Sequence, residues 1–267
     1  MANEQKKVKK LKIAIPKGRV LKDSLGLLRK SGFIRHPDSD YDSRRLIFDY
    51  EEDGISLLIV KPWDVPTFVE YGAADAGISG KDVLLEKPKN VYEPLDLKIG
   101  RCRIVAAVSR DLIKRNMPGF NNIDRMVITG QSQPGGFSSS PLSVVPVEGG
   151  LKNQYLKLYY SKANLRVATK YVRITRDFFN KKGVPNVQII KLYGNVELAP
   201  ISGLCDFIVD LVSTGETLRQ NDLAEIEDVA VVTSRLIVNR ASLKINPGGI
   251  ASLIDNLKRQ VEKNADI

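Results

Sequence analysis

Histidine is almost missing from this sequence, with His36 the only one in 267 residues. A His-rich metal site is therefore excluded, and among histidine-based triads only one built on His36 is formally open. Cysteine is nearly as scarce. Cys102 and Cys205 are too few for a disulfide framework and lack zinc-type spacing. No run of eighteen apolar residues occurs, so no segment reads as membrane-spanning. Leu11–Ile15 is too short for the apolar region of a signal peptide, and Pro16-Lys17 breaks it. Reduced cysteines without an export signal place the chain in the cytoplasm. The single Trp63 lies between Pro62 and Pro66, a setting that favours rigid packing over base stacking. What is present is an ordinary globular composition, 43 % apolar and 27 % charged, which excludes disorder over most of the chain.

The deficit of acid is the unusual number. Forty-one basic side chains face 31 acidic ones. The excess is local: residues 101–182 carry 15 basic and 4 acidic side chains, and the remainder is nearly balanced. A second basic cluster, Lys6, Lys7, Lys9, Lys10 and Lys12, reads as a frayed, solvated arm. Charge alone would suggest nucleic acid, but no helix-turn-helix, zinc or aromatic-stacking signature accompanies it. We expect no nucleic-acid and no membrane partner.

Short apolar runs alternate with amphipathic segments, which predicts an α/β protein with a largely parallel sheet. Strands are predicted at Leu11–Ile15, Arg44–Tyr50, Ile55–Lys61, Ala74–Ile78, Leu97–Val108, Leu165–Lys170, Val187–Leu192, Asp206–Val212 and Val229–Val238. Helices are predicted at Val20–Lys30, Pro66–Tyr71, Lys81–Glu86, Ile174–Lys182, Glu197–Ser202, from Glu216, and at Ile250–Glu262. Ser109–Asn164 contains Gly130–Gly136 and Ser138–Pro141, both loop compositions, and reads as an insertion. Within it, Tyr155–Tyr160 fits a strand or a helix.

Chemistry concentrates where strands run into helix starts. In Asp206–Leu218 an apolar strand ends in Ser213, Thr214 and Gly215 before a helix begins. Such a turn offers backbone N–H groups and hydroxyls to a phosphate. Asp210 stands just upstream, placed to accept from sugar hydroxyls. A helix capped by Ser213 or Thr214 would need no ligand. Ile15–Arg19 repeats the geometry with Lys17 and Arg19 at the mouth, suited to a polyphosphate or to simple solvation. Lys61 ends a third strand, Gly80 and Lys81 follow a fourth, and Glu197 a fifth.

Together these stretches resemble the ATP phosphoribosyltransferase family, which opens histidine biosynthesis. The likeness is carried by Ile13–Arg19, Lys61–Pro66, Tyr71–Asp82, Gly100–Val105, Arg166–Tyr171, Gly194–Pro200, Asp206–Leu218 and Arg235–Ser242. It implies two domains similar to type II periplasmic binding proteins, with the active site in the interdomain cleft. Domain I would hold 1–104 with about 233–267, and domain II 105–232 with the insertion at about 109–164. A short form without a C-terminal regulatory domain is implied, built as a homodimer core in a hetero-octamer. Its partner there would be a regulatory subunit similar to histidyl-tRNA synthetase. The reaction would join N1 of the ATP adenine to C1 of phosphoribosyl pyrophosphate, releasing pyrophosphate. Magnesium would arrive on the pyrophosphate groups, with no protein metal site.

Residue by residue, the resemblance gives Ser213, Thr214, Gly215, Glu216, Thr217 and Leu218 to the 5-phosphate. It gives Glu197 and Asp210 to the ribose hydroxyls. Lys17, Arg19 and Arg103 would meet ATP or pyrophosphate, with Gly18, Lys61, Gly80 and Lys81 among the substrate contacts. A non-catalytic solute-binding protein of the same fold is the alternative. The pair Glu197 and Asp210, both at strand-to-helix turns, argues against it.

Overall fold

A computed structural model describes residues 10–35, 44–116, 159, 164–184 and 186–265. His36, Lys6, Lys7, Lys9, Gly130–Gly136, Ser138–Pro141 and all of Tyr155–Tyr160 except Tyr159 lie outside these residues. The chain divides into two compact units, residues 1–101 with 232–267, and residues 102–231.

The first unit is built on a six-stranded sheet in the order β2-β3-β1-β4-β11-β5. These strands are β1 (Leu11–Pro16), β2 (Ile47–Tyr50), β3 (Ile55–Val60), β4 (Ala76–Gly80), β5 (Tyr92–Asp96) and β11 (Ser234–Val238). β1 pairs in parallel with both β3 and β4. β2 is antiparallel to β3, and β11 is antiparallel to β4 and β5. The sheet is therefore mixed rather than largely parallel. The 51–54 turn forces β2 and β3 into a hairpin, and β11 enters without a helical crossover, which a parallel neighbour would need.

β1 is central, and Ile13, Ala14 and Ile15 are fully buried. Being covered on both faces, it reads as a continuous apolar run rather than an alternating one. α1 (Leu21–Lys30) and α8 (Pro247–Ala265) pack on this sheet through Leu25, Leu28, Ile250, Leu253 and Leu257. Each such side chain contributes about 1.5–3 kcal/mol relative to exposure. Ser24 tolerates burial because its hydroxyl donates to the Val20 carbonyl at 2.7 Å. α2 (Val65–Glu70) packs so closely on β4 that a Cβ on Gly77 would meet Val69 Cγ2 at 2.8 Å.

The second unit holds a five-stranded sheet, β10-β6-β9-β7-β8. Its strands are β6 (Cys102–Ser109), β7 (Leu165–Thr169), β8 (Val187–Lys191), β9 (Phe207–Val212) and β10 (Leu223–Val232). β7 runs parallel to β8 and β9, while β6 is antiparallel to β9. α5 (Val172–Lys181) links β7 to β8, and α6 (Leu198–Ile201) links β8 to β9.

Two long predicted strands are each divided. Leu97–Val108 is only β6 in its second half, because Lys98 and Gly100 have φ of 57° and 63°, which ends extended structure. Val229–Val238 splits at Thr233 into the end of β10 and β11, which belong to different sheets. The described ends of the stretch 109–164 pack into the second unit. α4 (Arg110–Asn116) buries Ile113, and the Arg110 amide donates to the Asp222 carbonyl at 3.0 Å. Tyr159 is 1 % exposed, with its ring 5.3 Å from Phe179 and 5.2 Å from Phe207.

Candidate functional site

The parallel strands of the second unit end at the same edge of its sheet. After β7 comes Lys170, after β8 comes Glu197, and near the end of β9 comes Asp210. The register pairs Thr169 with Val209, so Lys170 and Asp210 follow as neighbours. The chain builds β8 on one side of β7 and then crosses to build β9 on the other. A reversal of this kind opens a crevice at the carboxyl ends of the strands. Thr169 shapes the turn after β7. Its hydroxyl donates to the Val209 carbonyl at 2.6 Å and accepts the Tyr171 amide at 2.8 Å.

Burial pushes the Asp210 carboxyl up to about 6. The Leu211 amide, 2.8 Å from Oδ1, opposes that shift. Glu197 then raises it further and Lys170 lowers it, so the three groups share one electrostatic neighbourhood. An acid with raised pKa is held ready to accept hydrogen bonds from neutral hydroxyls, at some cost to the empty protein. Lys170 is not among the site residues that the sequence suggests. Its signal was there: a cation directly after an apolar strand.

Beyond Asp210, Ser213 and Thr214 are exposed at the mouth of α7 (Glu216–Gln220). Neither is the N-cap. Gly215 takes that position with φ of 77°, and no side chain caps the helix. A left-handed residue there turns successive amides toward one point, which a β-carbon would hinder. The Glu216 amide reaches Thr214 Oγ1 only at 3.4 Å. The Glu216 side chain turns back to Arg219 and Gln220 at 2.7 and 3.0 Å, which hold its carboxyl below the usual range. Leu218 is buried in the core of this unit, so its side chain anchors the helix. Thr217 is exposed. Arg103, on β6, is engaged by Glu225 at 2.7 Å and Asp228 at 2.6 Å.

In the first unit, β3, β1 and β4 repeat this pattern. Lys17, Gly18 and Arg19 follow β1, Lys61 follows β3, and Gly80 and Lys81 end β4 and begin α3 (Lys81–Glu86). The register sets Pro16 beside Val60, which brings the Lys17 and Lys61 backbones side by side. Gly18 has φ of 101°, and Lys17, Gly18, Arg19 and Lys61 are all exposed. Arg19 donates to the Gly100 carbonyl at 3.3 Å. Lys81 differs from the rest, because its amine donates to both oxygens of Glu93 at 2.9 and 2.8 Å. A Cβ on Gly80 would run into the Asp82 carboxylate, which would have to shift to make room for it. Trp63 lies beneath Lys87, with the amine 5.3 Å from its ring. Among the described residues, no cluster of His, Cys, Asp and Glu could hold a metal ion. No described helix is long and apolar enough to cross a membrane.

Residues 61–130 and 136–261 match the family model described as HisG, ATP phosphoribosyltransferase. A protein of Geobacter metallireducens named ATP phosphoribosyltransferase is 44 % identical over 251 residues, covering 94 % of this chain and 98 % of that relative. A protein of Bordetella pertussis with the same name is 41 % identical over 259 residues, covering 96 % and 97 %. Among solved structures, the ATP phosphoribosyl transferase (HisG:HisZ) complex from Thermotoga maritima is similar. It has a TM-score of 0.64 and 29 % identity, covering 95 % of this chain and 99 % of that one. The family match spans most of the sequence, and the chain belongs to the ATP phosphoribosyltransferase family.

Proposed function

We propose that the chain transfers the phosphoribosyl group of phosphoribosyl pyrophosphate to N1 of the ATP adenine, the first step of histidine biosynthesis. The observation that carries this reading is the run from Asp210 to Thr217. A half-buried acid whose desolvation raises its pKa and an uncapped left-handed turn sit together at the end of β9. Ser213, Thr214, Gly215 and Thr217 receive the 5-phosphate. Asp210 and Glu197 accept from the ribose hydroxyls. Lys170 favours the ionised form of Asp210, against the burial that opposes it. Lys17 and Arg19, with Lys61 beside them, take the polyphosphate charge of ATP or pyrophosphate.

The N1 lone pair forms the new bond to C1 as the C1–O bond breaks, and that electron pair leaves on pyrophosphate. Magnesium enters as part of the substrate, bound to pyrophosphate oxygens. No covalent enzyme intermediate is required. The side chains contribute alignment and charge compensation in an oxocarbenium-like transition state.

The likeness to a protein solved as a HisG:HisZ complex supports assembly with a HisZ-like regulatory subunit, on a homodimer core within a hetero-octamer. A single assay tests both parts. The chain is incubated with ATP, magnesium and phosphoribosyl pyrophosphate, with and without the HisZ-like subunit, and the adduct is followed by mass spectrometry. Stoichiometric phosphoribosyl-ATP and pyrophosphate are expected, with histidine inhibition only when the subunit is present. Absence of the adduct under both conditions would reject the activity. A non-catalytic solute binder has no use for two acids at the ribose position, and no observation favours it.

A further inference from the structure

A carboxylate lies directly behind the turn read as the 5-phosphate site. A Cβ placed on Gly215 would fall 2.7 Å from Glu225 Oε1. Glu225 stands on β10, and its side chain is only 9 % exposed. Negative charge there opposes a phosphate dianion. An anion site built over a carboxylate therefore needs something to cancel it.

The other Glu225 oxygen accepts from Arg103 Nη2 at 2.7 Å. The same guanidinium donates through Nη1 to Asp228 Oδ1 at 2.6 Å. Burial works against the Arg103 charge, but Asp228 and Glu225 outweigh it and hold the group firmly protonated. Arg103 thus spends its fork on two acids of β10. Arg219 also approaches Gly215, but it is exposed and pairs with Glu216 on its own helix. It is a weaker source of the same compensation.

We propose that Arg103 and Glu225 are positioning residues for phosphoribosyl pyrophosphate. Glu225 wedges the Ser213–Gly215 turn in its left-handed shape, and Arg103 cancels the Glu225 charge so that the turn accepts a dianion. This rests on the reading of Ser213–Thr217 as the 5-phosphate site. It gives Arg103 a different task from the direct contact with ATP or pyrophosphate that family resemblance implies.

The test is a charge-rescue cycle read by isothermal titration of phosphoribosyl pyrophosphate into the full chain, with melting temperature recorded for every variant. Arg103→Met leaves Glu225 uncompensated and should weaken binding roughly tenfold to a hundredfold, the scale set by one uncancelled charge near a dianion. Adding Glu225→Gln removes that charge and should recover most of the loss. Glu225→Gln alone should bind within about threefold of wild type, because its amide keeps the wedge and one hydrogen bond. Recovery of affinity without matching recovery of melting temperature separates positioning from mere stability. If Arg103→Met does not fold, Glu225→Gln alone decides, and a loss beyond tenfold overturns the inference. If wild type binds and Arg103→Met with Glu225→Gln is no better than Arg103→Met, Arg103 contacts substrate directly and the inference is wrong. A folded wild-type chain that binds no phosphoribosyl pyrophosphate rejects the 5-phosphate reading itself, and the inference with it.

Discussion

β1 lies between β3 and β4 just as β7 lies between β8 and β9, and in both sheets the outer pair runs parallel to the centre. Each unit builds one neighbour of the central strand, then crosses to build the other. The wiring is alike, so each sheet gathers its strand ends at one edge. What stands there differs. The first unit presents Lys17, Arg19 and Lys61, all exposed. The second presents Glu197, Asp210 and a hydroxyl-bearing turn, with Lys170 as its cation. Topology makes the place, and side chains choose the ligand. Cations suit polyphosphate, whereas acids suit sugar hydroxyls.

The largest effect expected from breaking this contrast is at Asp210. Asp210→Asn should lower kcat/KM by about a hundredfold or more, the scale of losing a preorganised polar contact. The same variant should melt higher than wild type above pH 6. The folded Asp210 holds its proton up to about pH 6, beyond its ordinary value of 3.8, so its contribution to stability is present at low pH and lost as pH rises through that window. Relief from that loss is on the order of 1–3 kcal/mol. Urea melts at pH 4 and pH 8 would check it, and equal shifts at both would contradict it.

Gly215→Ala comes next. The new methyl meets Glu225 and must hold φ of 77°, so we expect a loss of about 1–2 kcal/mol in stability. Weaker phosphoribosyl pyrophosphate binding should accompany it, with ATP affinity unchanged. Lys17→Ala probes the other edge and should raise KM for ATP roughly tenfold, the worth of one charge-assisted contact. Unchanged steady-state constants would remove Lys17 from the site. The smallest effect is expected from Lys170→Ala. Wild-type kcat/KM should fall as pH drops through about 6, where Asp210 takes up its proton. Without Lys170 that acid limb should move to higher pH. A limb that stays in place would detach Lys170 from Asp210.

The edges themselves were legible because they are local. A buried central strand is a continuous apolar run, and a glycine or hydroxyl after it marks a turn. Leu11–Ile15 and Asp206–Val212 were therefore readable, and with them Lys17, Asp210 and the Ser213–Thr217 loop. Ser213 or Thr214 was a reasonable N-cap by residue preference, yet Gly215 holds the position because the chain needs a left-handed residue there. Lys98 hid the break inside 97–108, since a lysine gives no hint of a φ of 57°. Tyr159 looked like part of an insertion, although three phenylalanine rings surround it.

Composition, apolar periodicity and strand-end residues determined by themselves that this is an α/β chain whose strands run into glycine- and hydroxyl-bearing turns. Scarcity of histidine and cysteine removed most metal and disulfide chemistry. Tertiary structure alone decided the mixed strand order, the burial that lifts Asp210, and the pairing of Arg103 with Glu225 and Asp228 across 122 and 125 residues. The reason is physical. Turns and strand ends are set by backbone preferences within a few residues, whereas pairing and desolvation depend on which distant groups the folded chain brings together.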